Sequence, residues 1–429
     1  MNKQTLILTL FEKQVIRNIV INNKGKLIRS LSDNFDLIIF TNIEHYLILD
    51  NLFIQLEISG ARIQNVKPIK LNLLYKFLNV FAKNMNSSSS NIWSRNRNYA
   101  LKNFSLLGLY VRNLINLLFA KYKFFHYVLR FMMKHLVYSR DLNVSKNIKN
   151  AELIILTSVT NFLWDVPIGQ IASRNKKKII AIPRSWDNFT SHGALRINPN
   201  FIYSFSPIMT QYLINYHFIE KKLIVEVKNP AYDNQDHKLR SQVLNSSPNK
   251  KILYACMGSY LYEQESMFIE LLSKKVKDFG LELEILKHPK FETRNIEGLN
   301  FTVIPYDEFS SNDLLQRYLS KFRLILTAGS SIAIDCHNYS LEFYCVFIED
   351  KNIDYWRSVK RYADTVEHFS DFLAMNDVKV VNNANQLVKE LKKLDSNPIY
   401  DNRIFRDYSY QTPNLTDALI SNVRYMIHP

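Results

Sequence analysis

Asp187 and His192 both stand in the stretch Pro183-Arg-Ser-Trp-Asp-Asn-Phe-Thr-Ser-His-Gly193, and either could take a proton from an acceptor hydroxyl. Burial in a closed site can raise a carboxylate pKa toward neutrality, where a general base works best. Ser185, Trp186, Asn188 and Thr190 surround the pair and are the candidates for holding an acceptor. The stretch follows Ile179-Ile180-Ala181-Ile182, an apolar run that reads as a buried parallel strand. In open α/β sheets ligands bind beyond the carboxyl ends of the strands, so polar chemistry there points to a site. The competing reading makes Asp187 a turn or cap residue and Trp186 part of the core.

A second set of residues suits phosphate. Leu324-Ile-Leu-Thr-Ala-Gly-Ser-Ser-Ile-Ala-Ile-Asp335 reads as strand, turn and helix. Gly329 permits a tight turn, and Ser330 and Ser331 fall at the start of the helix, where free N–H groups favour anions. Asp335, one turn further, is placed to accept hydrogen bonds from a ribose. Gly258 and Ser259 in Cys256-Met-Gly-Ser259, and Lys287 and His288 in Lys287-His288-Pro289, sit at two more strand ends. Taken singly, Ser330 and Ser331 are an ordinary helix cap and Pro289 a strand stop. Three strand ends carrying Gly, Ser, His and Lys together point to a phosphate-bearing ligand.

The elements that must position these residues alternate. Thr5 to Phe11 and Asp36 to Phe40 read as strands around a helical stretch from Val15 to Leu31, and strands and helices alternate again from Leu153 to Val227. Asn84 to Asn98 has loop composition, and Ala100 to Val137 reads as one helix. Asp233 to Lys251 is polar and reads as a linker, followed by a second α/β series from Ile252 to Ile348. With 429 residues, this predicts two doubly wound domains with a cleft between them. The first spans about 1–240, with a basic helical insertion at about 84–140; the second spans 250–429, its last helix returning to the first.

Net charge is +16, but it is concentrated. Between Ile58 and Arg140 there are fourteen Lys or Arg and no Asp or Glu, so the rest is nearly neutral. Arg112, Lys123, Arg130 and Lys134 fall within roughly 40° on a helical wheel, among aromatic and aliphatic residues such as Phe104 and Leu114. That pattern reads as a basic amphipathic element for an anionic membrane surface. The alternative is a core helix with one solvated cationic face. Nucleic acid is not expected as a partner, because no recognised motif accompanies the charge. No run approaches a spanning helix and no leader is apparent. Cys256, Cys336 and Cys345 have no paired spacing, which reads as reduced thiols in a cytoplasmic protein.

Pro183 to Gly193 resembles the Ser-Trp-Asp-Asn-hydrophobic-Thr-Ser-x-Gly segment of a bacterial group of surface-polysaccharide glycosyltransferases, and Asn229-Pro-Ala-Tyr-Asp233 resembles that group's strand exit. Lys287-His288-Pro289 and Ser330-Ser331-Ile-Ala-Ile-Asp335 resemble the related CDP-glycerol glycerophosphotransferases. The motifs cover roughly Thr5 to Glu349. Both groups imply the GT-B architecture, α/β with two Rossmann-like doubly wound domains facing across a cleft. The first-domain motif of the glycerophosphotransferases is Trp-His-Gly, with the His as base; here Trp186-Asp187-Asn188 puts Asp187 in that position. This departure favours a nucleotide-sugar donor over glycerol phosphate, and His192 before the motif's Gly keeps a histidine base open. The resemblance implies donor phosphates on the His-Pro and Ser-Ser motifs. The absence of Asp-x-Asp matches the metal-independent members, with no cofactor. The expectation is a glycosyltransferase, peripheral on the inner face of the plasma membrane, extending a glycan or lipid-linked acceptor. The alternatives are a glycerophosphotransferase and a non-enzymatic membrane- or RNA-binding protein.

Overall fold

Leu6 and Leu8 face one side of the first strand and Ile7 the other, and all three are fully buried. Side chains alternate across a strand, so a strand apolar at every position must be covered on both faces, as in a parallel sheet. The computed structural model describes residues 3–101, 105–137, 141–232, 250–288, 292–293, 296, 302–304, 312–350, 352–396 and 412–427. Phe104, Asp233, Pro289 and nearly all of the expected linker lie outside them. The chain forms two units, Met1–Asp233 with Ser409–Pro429, and Asn234–Tyr408.

The first unit holds seven parallel strands, β1 (Thr5–Thr9), β2 (Asp36–Thr41), β3 (Ala61–Asn65), β4 (Leu153–Leu156), β5 (Lys178–Ala181), β6 (Phe201–Ser204) and β7 (Ile224–Glu226). Their order is β3-β2-β1-β4-β5-β6-β7. Two apolar clusters cover the two faces. Ile7, Ile38, Phe40 and Ile154 join one, with Tyr75 and Leu78 of the helix Leu73–Asn84 and Leu129 and Met133 from the insertion. Leu6, Leu8, Leu37 and Ile155 join the other, beneath Leu415, Leu419 and Val423 of the C-terminal helix Leu415–Ile427. The second unit repeats the plan with β8 (Lys251–Ala255), β9 (Glu282–Leu286), β10 (Thr302–Ile304), β11 (Leu324–Thr327), β12 (Phe343–Val346) and β13 (Lys379–Val381). Their order is β10-β9-β8-β11-β12-β13, again parallel throughout. Both units have the doubly wound strand order that reverses once, between β1 and β4 and between β8 and β11. The α/β class expected from the sequence is therefore the observed one.

The insertion differs from the expectation. The Asn84 to Asn98 stretch contains a helix, Ser89–Ala100, started by the Ser88 hydroxyl accepting from the Asn91 amide. A serine run that looks like a loop thus serves as a cap. Ala100 to Val137 is two helices, Leu106–Phe119 and Lys123–Leu136, separated at the extended Tyr122. Arg112 is therefore on a different helix from Lys123, Arg130 and Lys134. Arg130 is only 2% exposed: its guanidinium donates to the carbonyls of Leu195 (3.0 Å) and His217 (2.5 Å) and to Asn198 Oδ1 (3.4 Å). A residue so committed cannot face a membrane, so the expected four-cation stripe does not exist as a surface. Among the described residues no helix is long and apolar enough to cross a membrane. The three cysteines are buried and unpaired.

Candidate functional site

In the first unit, β5 delivers the chain to a one-turn helix, Asn188–Ser191, with Asp187 at its start. Asn188 Oδ1 accepts from the amides of Arg184 (2.8 Å) and Ser185 (3.2 Å), and its amide nitrogen donates to Ser185 Oγ at 2.9 Å. Asn188 and Thr190 are completely buried, and the Thr190 hydroxyl donates to the Asp187 carbonyl. They shape the turn, and the expectation that they meet an acceptor is corrected accordingly. Trp186 packs partly into the core. Ser185 Oγ donates to Asp187 Oδ1 at 2.5 Å, orienting that carboxylate. Asp187 Oδ2 lies 3.8 Å from His192 Nε2, so the structure brings the two candidate bases together. Burial lowers the His192 pKa, with Arg184 and Arg196 adding to this and Asp187 opposing it. The shift favours the neutral imidazole, the form able to accept a proton.

Three carboxylates and an arginine that sequence reasoning missed stand close to the two strand-order reversals. Glu12, three residues past β1, receives Ser158 Oγ (2.5 Å) and Asn161 Nδ2 (2.9 Å) and pairs with Arg184 at 2.5 Å. Burial works to raise its pKa, but Arg184 and these hydrogen bonds hold it below the ordinary range. Asp165 is fully buried where β1 and β4 end; its Oδ1 accepts from Thr9 Oγ1 and the Thr157 and Ser158 amides. Burial pushes its pKa up to about 7. In the second unit Glu265, fully buried, accepts from the amides of Met257 and Gly258, from Tyr254 and from Thr293. Burial raises its pKa against those hydrogen bonds. No local spacing marks these residues, because each partner set is assembled only by the fold.

Glu265 also changes the reading of Gly258. The expectation placed Gly258 and Ser259 among the donor-binding residues; here the Gly258 amide donates to the Glu265 carboxylate, and the Ser259 amide donates to the Glu292 carbonyl. The glycine serves its turn, with φ +85. Several of the other residues expected to meet a donor converge. Lys287 and His288 past β9, Ala255 and Cys256 at the end of β8, and Ser330, Ser331 and Ile332 past β11 line one pocket. It lies where the strand order of the second sheet reverses. Gly329 turns the chain into it with φ +99, and a Cβ there would press on Phe369 at 3.3 Å. Asp335 is on the following two-turn helix, Ile332–Asn338, and does not line the pocket. Among the described residues no cluster of His, Cys, Asp or Glu could hold a metal ion.

The fold and this pocket define a pair of doubly wound α/β units, the second with a polar pocket at its sheet reversal. Solved structures similar to the chain include Arabidopsis thaliana UGT89C1 complexed with UDP, at 10% identity over 98% of this chain and 99% of that one, with a TM-score of 0.48. S. aureus MnaA with UDP matches at 11% identity over 99% and 97%, TM-score 0.47. The wall teichoic acid polymerase TagF matches at 12% identity over 99% and 88%, TM-score 0.46. At such identities and TM-scores these likenesses decide neither substrate nor mechanism. No family model and no curated protein matches the chain.

Proposed function

We propose that the chain is a glycosyltransferase moving a sugar from a nucleotide-sugar donor to a glycan acceptor. The observation that carries this is the second unit's pocket: Lys287, His288, Ser330 and Ser331, far apart in sequence, line one recess at the reversal of a parallel sheet. A lysine, an imidazole and two hydroxyls suit a diphosphate, and sheet reversals are where such folds hold nucleotides. On this reading the base is Asp187 or His192, which lie 3.8 Å apart. As the base withdraws the acceptor hydroxyl's proton, that oxygen bonds to the donor's anomeric carbon. The bond from that carbon to the diphosphate breaks, and Lys287 meets the charge that develops on the leaving group. In the dyad Asp187 stabilises the imidazolium formed on His192, or takes the proton itself. The position of Asp187 in the Ser-Trp-Asp-Asn motif supports a nucleotide sugar over CDP-glycerol.

Asp187→Asn should lower turnover by about 10²–10⁴-fold, the usual effect of losing a general base. Turnover within about tenfold of the parent discards the assignment. Replacing Ser330 and Ser331 by Ala should weaken nucleotide binding by about 5–150-fold, at roughly 0.5–1.5 kcal/mol per lost hydrogen bond. Unchanged affinity by calorimetry removes the pocket from the mechanism. Release of a nucleoside diphosphate marks sugar transfer, and release of CMP from CDP-glycerol marks the phosphotransferase.

A further inference from the structure

The insertion presents to solvent a surface of the kind a core helix buries. On the Leu106–Phe119 helix, Leu106, Leu107, Tyr110, Leu114 and Leu117 are 40–71% exposed. At 100° per residue they fall within an arc of roughly 100° that contains no charge. The Leu73–Asn84 helix packs against this helix and against Lys123–Leu136, and rings of Phe81, Phe119 and Phe125 join the three. Leu73 and Phe77 are 83% and 62% exposed, and Phe124 and Phe131 on the third helix are 68% and 59% exposed. Lysines edge the apolar residues: Lys123 lies over the Tyr127 ring and Lys134 over the Phe131 ring. Monomeric proteins seldom leave so much large apolar surface on neighbouring helices without a partner.

We infer that these outward helix faces dock in the plane of an anionic lipid bilayer, inserting their apolar residues between headgroups while the flanking lysines meet lipid phosphates. Charge selects this occupant. The segment from Ile58 to Arg140 has no acidic residue; Arg95, Arg97 and Arg130 are buried, but Lys76, Lys83, Lys121 and Lys123 are exposed on or between the three helices. A second copy would bring the same uncompensated charge against it, whereas an anionic leaflet neutralises it. Nucleic acid would require cations on the exposed arc of Leu106–Phe119, which carries leucines and a tyrosine. The binding element differs from a basic stripe, since Arg130 is inside and apolar insertion supplies the attachment.

The test is flotation of the full chain with vesicles of phosphatidylglycerol and phosphatidylcholine, and with phosphatidylcholine alone. The parent should float with the anionic vesicles and bind neutral ones at least tenfold less. Leu107→Glu, Tyr110→Glu and Leu117→Glu together should lower anionic-vesicle partitioning at least 100-fold, with an unchanged thermal transition because all three side chains are exposed. Partitioning of the triple variant within threefold of the parent overturns the inference. So does a parent dimer in light scattering that the triple variant abolishes, which would give the face to a second copy. Flotation needs no turnover, so failure here leaves the transferase reading standing, and the reverse also holds.

Discussion

Replacing Arg130 by Met tests whether the charge in the insertion is a structural bolt. The substitution keeps most of the apolar stem and removes the guanidinium that holds the carbonyls of Leu195 and His217 and touches Asn198. Hydrogen bonds from a charged donor contribute about 1.5–3 kcal/mol each, so the three are worth on the order of 4–9 kcal/mol gross. Burial lowers the Arg130 pKa to about 10, so removing the charge recovers roughly 3 kcal/mol. The net loss is then about 3 kcal/mol. A unit of this size loses about 2–4 °C of Tm per kcal/mol, so the first unit's transition should fall by roughly 6–12 °C in scanning calorimetry. Lys123→Met and Lys134→Met, outside the core, should stay within about 0.5 kcal/mol of the parent. An Arg130→Met transition within 2 °C of the parent would refute the buried placement and return the residue to the surface.

Three further outcomes follow from buried groups and one close approach. Asp165 has its folded pKa raised to about 7, so its contribution is complete below the unfolded value near 3.8 and is lost as pH rises through 7. Asp165→Asn should therefore stabilise the first unit at pH 8 more than at pH 5 in urea titrations, and an equal effect at both would count against a buried protonated carboxyl. His126 is fully buried with its folded pKa lowered to about 4, so its contribution is present above about 6.5 and lost as pH falls toward 4. In His126→Phe the decline of stability over that window should be shallower by up to about 1.4 kcal/mol per pH unit, and parallel curves would contradict this. Gly193→Ala places a Cβ 2.5 Å from Lys83 Cα on a backbone with φ +78, and should destabilise by about 3 kcal/mol or more; a loss below 1 kcal/mol by denaturant melts would show the contact to be looser.

Strand positions were legible because a four- or five-residue apolar run has few other uses, as in Leu153–Leu156 and Leu324–Thr327. The convergence of Lys287, His288, Ser330 and Ser331 on one pocket was legible because they follow such runs directly. Depth was not legible. A helical wheel places Arg130 within the same arc as Lys123 and Lys134, but only the carbonyls of Leu195 and His217 draw it inside. The break at Tyr122 carries neither Gly nor Pro, so periodicity ran through it. Asp165 and Glu265 gave no sign because their partners come from strand ends that meet only in the folded sheet. Asn188 and Thr190 are polar at a strand end, as site residues are, yet the turn itself consumes their hydrogen bonds.

The Leu73–Asn84 helix has a consequence as a spacer. Its backbone at Ala82 and Lys83 abuts Gly193, the residue after His192, while Leu73 and Phe77 look outward. An α-helix with its side chains is about 10 Å across, so about one helix width separates Gly193 from the outward side of Leu73 and Phe77. That width is comparable to the headgroup layer of a bilayer. If the outer face seats in lipid and His192 serves as base, as proposed above, the hydroxyls nearest the imidazole would be those of the first sugars of an anchored glycan. On those readings the thickness of one helix would act as a ruler for acceptor length.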